Sequence, residues 1–434
     1  MKQNILEIDK LISAFLVNSG LIGEDGLLND SCYPQRKYLT HESWAASPRF
    51  PYEGWHRREQ DGGNPDCMSY GFTINELLSQ AKRHNDEKYI AMAERLADYV
   101  IGFQITDPAR PTYGGFGTGE LLNDSAHQLP MALLWLSHYT GKEKYRKSAL
   151  LCLDNFLLNH HFQYDKYGKL TGVFYDYYSE ARQRFESWGN PKRCAHSPLC
   201  FAFSLFAAYE HTGKEEYLSA VTKAYDWLME SYRGECLAVA NGIEIGPEGD
   251  DRVIGLSHRQ IVPRYTGYLI HTLIGTWHYS GERRYLEEAI RCAELILPGQ
   301  RPDGSFPLTL EVEQYFPNTL SCAYGYLGGT LHLLARVTGN KRYDMAGMKA
   351  VAALINDQIR NPAMTEQYGG ILRKGGASVL EGMVFPFGYG WVIDGFQTLL
   401  NMQGVNLALE HQSYLGMPDN HFWQKLQTKE PVPV

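Results

Sequence analysis

Long runs of lysine or arginine are missing from this 434-residue chain, whose net charge is -8. Phosphate backbones are held by clustered cations, so nucleic acid is not expected as a partner. Long hydrophobic runs are missing too, and no stretch reaches the length of a membrane span. The segment MKQNILEIDKLISAFLVNSG breaks its apolar residues with Glu7 and Asp9 and offers no small-residue cleavage site. It is therefore not read as a secretory leader. The eight cysteines are scattered, with no CxxC pair and no metal-ligand spacing. Scattered cysteines in a large intracellular protein serve as small buried hydrophobes, and the cytoplasm is the expected compartment. No HExxH or related zinc spacing occurs, so neither a metal nor a cofactor is expected.

What is present is a repeat. The phrases HNDEKY, TGKEKY, TGKEEY, SGERRY and TGNKRY end at Tyr89, Tyr145, Tyr217, Tyr285 and Tyr343. Their spacing of roughly 55–75 residues suits one helical hairpin plus a loop. Each phrase reads as a helix-turn-helix junction: Gly or Asn-Asp ends one helix, and the Tyr sits early in the next. Flanking segments such as MALLWLSHY and YRKSALLCLDNFLL carry apolar residues at helical spacing. The first helix of each pair is apolar nearly all round and the second is amphipathic, as an inner ring surrounded by an outer ring requires. A sixth pair is expected from the helix near residues 4–17 and an inner helix near 388–400. The predicted fold is all-α, a closed (α/α)6 toroid. Residues 1–434 are expected to form one domain, with a less regular tail from about residue 403.

The segments entering the inner helices are polar and unusual: GGNPDCMSYG, LLNDSAHQLP, WGNPKRCAHSP, GLSHRQIVPRYTGY, QYFPNTLSCAYGY and FPFGYGW. Several place Pro near the first helical turn, where the missing N–H costs nothing. In a closed ring these entries converge on one cavity. The candidate catalytic residues are Asp66, Asp124, His127, His196 and His258. The candidate substrate-binding residues are Trp55, Tyr70, Trp188, Arg193, Arg259, Arg264, Tyr265, Asn318, Tyr324 and Tyr389. The plainer roles stand beside these. Asp66 and Asp124 occupy N-cap positions, and Tyr70, Tyr265 and Tyr324 supply aromatic bulk.

Two chemistries fit, and glycoside hydrolysis is the expected one. A pair of carboxylates across a sugar-sized cavity, Asp66 and Asp124, permits acid/base hydrolysis of a glycosidic bond. A His/Tyr/Arg/Asn group (His196, His258, Arg264, Tyr265, Asn318) instead suits proton abstraction beside a carboxylate, the work of a lyase or an epimerase. Aromatic residues at the mouth stack on the C–H faces of sugar rings, so an oligosaccharide or sugar is the expected partner. A toroid that binds carbohydrate without catalysis is the third reading.

The hairpin rhythm, with phrases such as YTGKEKYRKSALLCLDNFL and YEHTGKEEYLSAV, resembles six-hairpin glycosidases, above all the unsaturated glucuronyl and rhamnogalacturonyl hydrolases. The resemblance implies a uronic-acid substrate and an Asp at an inner-helix start that protonates the unsaturated ring, with Asp124 as the matching position. The WxRGxxW signature of those families is replaced here by WGNPKRCAHSP at 188–198. A second resemblance, to N-acylglucosamine 2-epimerases, rests on the Asn-x-x-x-His entry matched by Asn123 and His127. It implies catalytic histidines near later inner helices, with His196 and His258 as the matching candidates.

Overall fold

The computed structural model describes residues 1–29, 31–33, 54–56, 67–117, 121–122, 126–159, 171–175, 177–186, 196–231, 236–239, 243–245, 253–256, 260–307, 310–311, 321–363, 365, 368–371, 379–380, 383–384, 393–409 and 432. Twelve α-helices occur among these described residues. The odd members are α1 (Lys2–Asn18), α3 (Lys88–Ile101), α5 (Glu143–Leu151), α7 (Glu215–Ser231), α9 (Arg283–Ile296) and α11 (Lys341–Ala353). The even members are α2 (Cys67–His84), α4 (Leu129–Thr140), α6 (His196–Thr212), α8 (Pro263–Ser280), α10 (Ser321–Thr338) and α12 (Gly395–Ala408). No helix among the described residues is long and apolar enough to cross a membrane.

The even helices form the inner ring. Each packs on the next, and α12 returns to α2, so the ring is closed. The odd helices stand outside, and α1 lies against α11 and α12, completing the sixth pair from the two ends of the chain. The last inner helix runs to Ala408, past the expected start of the tail, and the Val432 N–H donates to the Val337 carbonyl at the end of α10.

The repeated phrases are the turns between inner and outer helices. Gly141, Gly213, Gly281 and Gly339 all take the left-handed conformation, and Asn85 takes it in the one phrase without glycine. A Cβ at Gly141, Gly213 or Gly281 would meet nothing within 4 Å, so the positive φ alone selects glycine there. Before each glycine, Thr140, Thr212, Ser280 or Thr338 donates its hydroxyl back to a carbonyl four residues earlier. The same oxygens accept from the N–H two residues on.

The motif tyrosines tie neighbouring outer helices together. Tyr145, Tyr217, Tyr285 and Tyr343 donate to Asp98, Asp154, Asp226 and Glu294, each carboxylate on the preceding outer helix or its continuation. Lys144, Lys214, Arg284 and Arg342 pair with the same four carboxylates. Each acceptor lies nine residues after the motif Tyr of its own hairpin, so one Tyr-x8-Asp/Glu rule carries the ladder around the ring. Burial and the nearby carboxylates push these four phenols well above their ordinary pKa, which keeps them protonated as donors. Tyr285→Phe removes one rung and is expected to cost about 1 kcal/mol, because Arg284 still neutralises the half-exposed Asp226. Urea unfolding measures this, and a midpoint matching wild type would show that the ladder adds nothing.

The ladder ends at α1, where a different set of contacts closes the ring. Glu76 on α2 is buried, accepts from Gln80 and Asn406 and pairs with Arg83. Arg83 also pairs with Asp9 of α1, and Gln80 donates to Ser13. Arg360 pairs with Glu7, and the Gln358 amide donates to the Ile8 carbonyl. Between α10 and α12 the backbones touch: a Cβ at Gly404 would lie 2.1 Å from the Gly325 carbonyl oxygen, so only glycine fits.

At the end of the toroid opposite the short turns, long loops carry each outer helix to the next inner one. Short antiparallel ladders lace these loops together. Ser31–Tyr33 pairs with Gly54–His56 and Ile393–Asp394, Leu121–Leu122 with Tyr177–Ser179, and Gln260–Ile261 with Leu310–Glu311. The amino ends of the inner helices open on this face.

Candidate functional site

His127 precedes α4 and touches three other inner helices. Its ring is 5.5 Å from Phe72 on α2, 6.3 Å from Phe203 on α6 and 5.5 Å from Tyr268 on α8. Only the inside of the ring allows contact with α8 as well as with the adjacent α2 and α6. Ser204 holds the segment in place: its hydroxyl donates to the His127 carbonyl at 2.7 Å and accepts from the Met131 N–H at 3.2 Å.

Around His127 lies an aromatic layer. Tyr268 meets Tyr326 of α10 at 4.5 Å, and Phe203 meets His271 at 4.9 Å. His271 Nδ1 and the Tyr326 hydroxyl are 2.7 Å apart. The Gln403 amide of α12 donates to Gln128 at 2.9 Å, bridging over α2. One turn nearer the amino end of α8 than Tyr268 stands Arg264. Its guanidinium donates to the Tyr265 hydroxyl at 2.9 Å and lies 4.7 Å from the centre of that ring.

His127 is fully buried, and neither ring nitrogen has a hydrogen-bond partner among the described residues. Burial first, and the Arg264 charge second, hold its pKa down to about 3. His271 is likewise held well below the ordinary value by burial. Both imidazoles are neutral at pH 7. A neutral imidazole can donate from one nitrogen and accept at the other, so His127 can hydrogen-bond an oxygen without adding charge. Arg264 supplies the positive charge nearby.

Of the residues picked from sequence, His127 packs on Tyr268 of α8, and Arg264 and Tyr265 stand in the first turn of that helix. Tyr70 is placed elsewhere: its ring stacks on Tyr99 of α3 and its hydroxyl accepts from the Leu28 N–H, so it fills the space between the two rings. Tyr324 is buried one turn before Gly328, on the α10 face that meets Ala350 of α11, and so also points outward. The physical reason is shared. An inner helix is buried on every side, and each of these aromatics filled the outer side rather than the cavity. For Trp55 and His196 the backbone is described, in the strand opposite Cys32 and as the first residue of α6. Asp66, Asp124, Trp188, Arg193, His258, Arg259, Asn318 and Tyr389 lie outside the described residues.

Tyr268, His271 and Tyr326 were not singled out from sequence. A signal existed: Arg264, Tyr268 and His271 recur at i, i+4 and i+7, a polar stripe on a helix that is otherwise apolar.

No family model matches the chain, and no curated protein matches it either. Solved structures do. An unsaturated glucuronyl hydrolase from Bacillus sp. GL1 is similar at 17% identity with a TM-score of 0.62, over 94% of this chain and 96% of that one. A D-mannose isomerase is similar at 13% identity with a TM-score of 0.65, over 94% and 98%. Cellobiose 2-epimerase from Bacillus thermoamylovorans is similar at 11% identity with a TM-score of 0.65, again over 94% and 98%. At such identities the likeness carries the architecture and leaves the reaction open. The chain has the six-hairpin (α/α)6 toroid fold that a glucuronyl hydrolase, a mannose isomerase and a cellobiose epimerase share.

Proposed function

We propose that this chain is a carbohydrate-active enzyme working as a single toroid domain, and that it moves a proton at a sugar carbon beside a carbonyl, as an epimerase or isomerase does. The observation that carries this reading is the neutral, fully buried His127 inside the ring, close enough to Arg264 to feel its charge. Loss of a proton beside a carbonyl leaves an enediolate, whose charge must be met by donors already in place. His127 N–H donates to that oxygen and Arg264 balances its charge. Tyr265, His196 and His258 are the candidates for the group that takes the proton from carbon and returns it. Trp55, Trp188 and Tyr389 are the candidates for stacking on the sugar, with Arg193, Arg259 and Asn318 binding its polar groups.

The likeness to an unsaturated glucuronyl hydrolase supports a second reading. In it Asp66 and Asp124 carry acid/base hydrolysis of a uronic-acid oligosaccharide. Incubation in D2O with a panel of reducing sugars, and with saturated and 4,5-unsaturated uronic-acid oligosaccharides, separates the two. Deuterium appearing on the carbon next to the carbonyl, with an isomeric product of otherwise unchanged mass, is the result expected. Falling absorbance near 235 nm with release of a monosaccharide, and no deuterium on carbon, would replace it with the hydrolase.

A further inference from the structure

The toroid contains a second repeat, and one of its six copies departs from the others in a chemically meaningful way. After five of the outer helices the loop turns through a left-handed glycine and lays its backbone on the next outer helix. Gly26, Gly114, Gly172, Gly304 and Gly369 do this, each with φ between 68° and 91° or at 95°. A Cβ at these five would meet Arg95, Leu151, Ala224, Lys349 and Leu11 backbone atoms respectively. Two residues later comes a buried apolar side chain: Leu28, Phe116, Phe174, Phe306 and Ile371. In the sixth copy the sequence is Gly234-Glu235-Cys236, which puts a cysteine where the others carry a large apolar group.

The receiving residues on the next outer helix lie six or seven residues after the motif Tyr, a stretch that in this copy is Arg291-Cys292. The two sulfurs are 3.5 Å apart. Cys292 is fully buried, and Cys236 is half-buried. Glu288 stands beside them, with its Oε1 accepting from the Leu237 N–H at 2.7 Å and lying 3.9 Å from the Cys292 sulfur. Its other oxygen is held by Arg291 at 2.8 Å. The three residues are within reach of one ion. Yet two sulfurs and one carboxylate are three donors among the described residues, against the four of a structural zinc site. Two facing thiols suit a different chemistry.

We infer that Cys236 and Cys292 are a dithiol that closes to a disulfide by exchange with a small-molecule disulfide such as oxidised glutathione. Cys236, the more accessible sulfur, attacks as thiolate. One glutathione thiolate leaves, and a mixed disulfide remains on Cys236. Burial pushes the Cys292 thiol well above its ordinary pKa, so it is the second group to react. Its proton passes to the Glu288 carboxylate, its sulfur bonds to Cys236, and the second glutathione thiolate leaves and takes up the proton. Two protein thiols are oxidised to one disulfide, and one glutathione disulfide is reduced to two thiols.

The bond would staple the loop after α7 to α9. The 3-10 turn Leu237–Val239, which begins one residue after Cys236, packs on α8 and on the Gln260–Ile261 strand. That strand leads directly into Arg264 and Tyr265. Closure therefore fixes the approach to α8 by covalent means.

The test is equilibration of the reduced full-length protein in glutathione redox buffer, followed by alkylation, mass measurement and peptide mapping. The expected result is a loss of about 2 Da, with a cross-linked pair of peptides carrying Cys236 and Cys292. The melting temperature should rise by a few degrees and return on reduction. Cys236→Ala and Cys292→Ala should each abolish both effects. Free alkylation of both thiols after oxidation, a stable glutathione adduct on Cys236 alone, or one zinc ion retained per reduced chain through desalting would each overturn the proposal.

Discussion

Replacing His127 with asparagine is expected to lower kcat/KM on the sugar substrate by about 10²- to 10³-fold, the range that a donor to a developing oxyanion contributes. The near-UV circular dichroism should stay native, because the smaller carboxamide side chain fits within the space of the imidazole. A structural role for His127 predicts instead that activity and melting temperature fall together. A variant within about threefold of wild-type kcat/KM would remove His127 from the chemistry.

The same residue gives a stability signature independent of substrate. In the folded protein its pKa is about 3, against an ordinary 6.5. As pH falls below 6.5 the unfolded chain takes up a proton that the folded chain refuses. Stability is therefore lost from pH 6.5 downward, by about 1.4 kcal/mol per pH unit for this one group. His271 acts in the same direction. Urea midpoints at pH 7.5, 6.5 and 5.5 should fall more steeply for wild type than for His127→Asn. Parallel slopes would mean that the imidazole is not held neutral.

Arg83→Met is expected to produce the largest loss of stability, about 3–5 kcal/mol in urea unfolding. Arg83 is the cation shared by Glu76 and Asp9, whose side chains are 3% and 19% exposed. Removing it leaves a buried carboxylate with amide partners only, and a lone buried charge costs far more than the pair contributed. Burial already pushes the Glu76 pKa upward against the pull of Arg83. Glu76→Gln should therefore be much milder than Arg83→Met, since it removes the charge that burial disfavours and keeps one oxygen that accepts from Gln80 and Arg83. Equal costs for the two substitutions would contradict this account. A cost below about 0.5 kcal/mol for Arg83→Met would show that the seam does not depend on the cation.

The helix pairs, the turns between them and the ring of six hairpins were all legible in the sequence, because their causes are local. Apolar spacing marks each helix, and a left-handed Gly or Asn marks each turn. The tyrosine phrase was visible as a repeat, but its partner was not: each acceptor lies on the preceding outer helix, 47 residues away for Tyr145 and 59 for Tyr285. The link between Glu76 and Asn406 spans 330 residues and exists only once the ring has closed.

The site was legible in part. The inner-helix entries marked where polar groups gather, and His127, Arg264 and Tyr265 were picked from them. Which way most side chains point on an inner helix was not legible, because a helix buried on every side has no solvent face to orient it. Packing alone turned Tyr70 outward to Tyr99 and His127 inward to Phe72, Phe203 and Tyr268. Local sequence thus determined the elements and their succession. Tertiary packing decided which faces meet at the centre, because only contact between distant helices distinguishes the inside of the ring from the layer behind it.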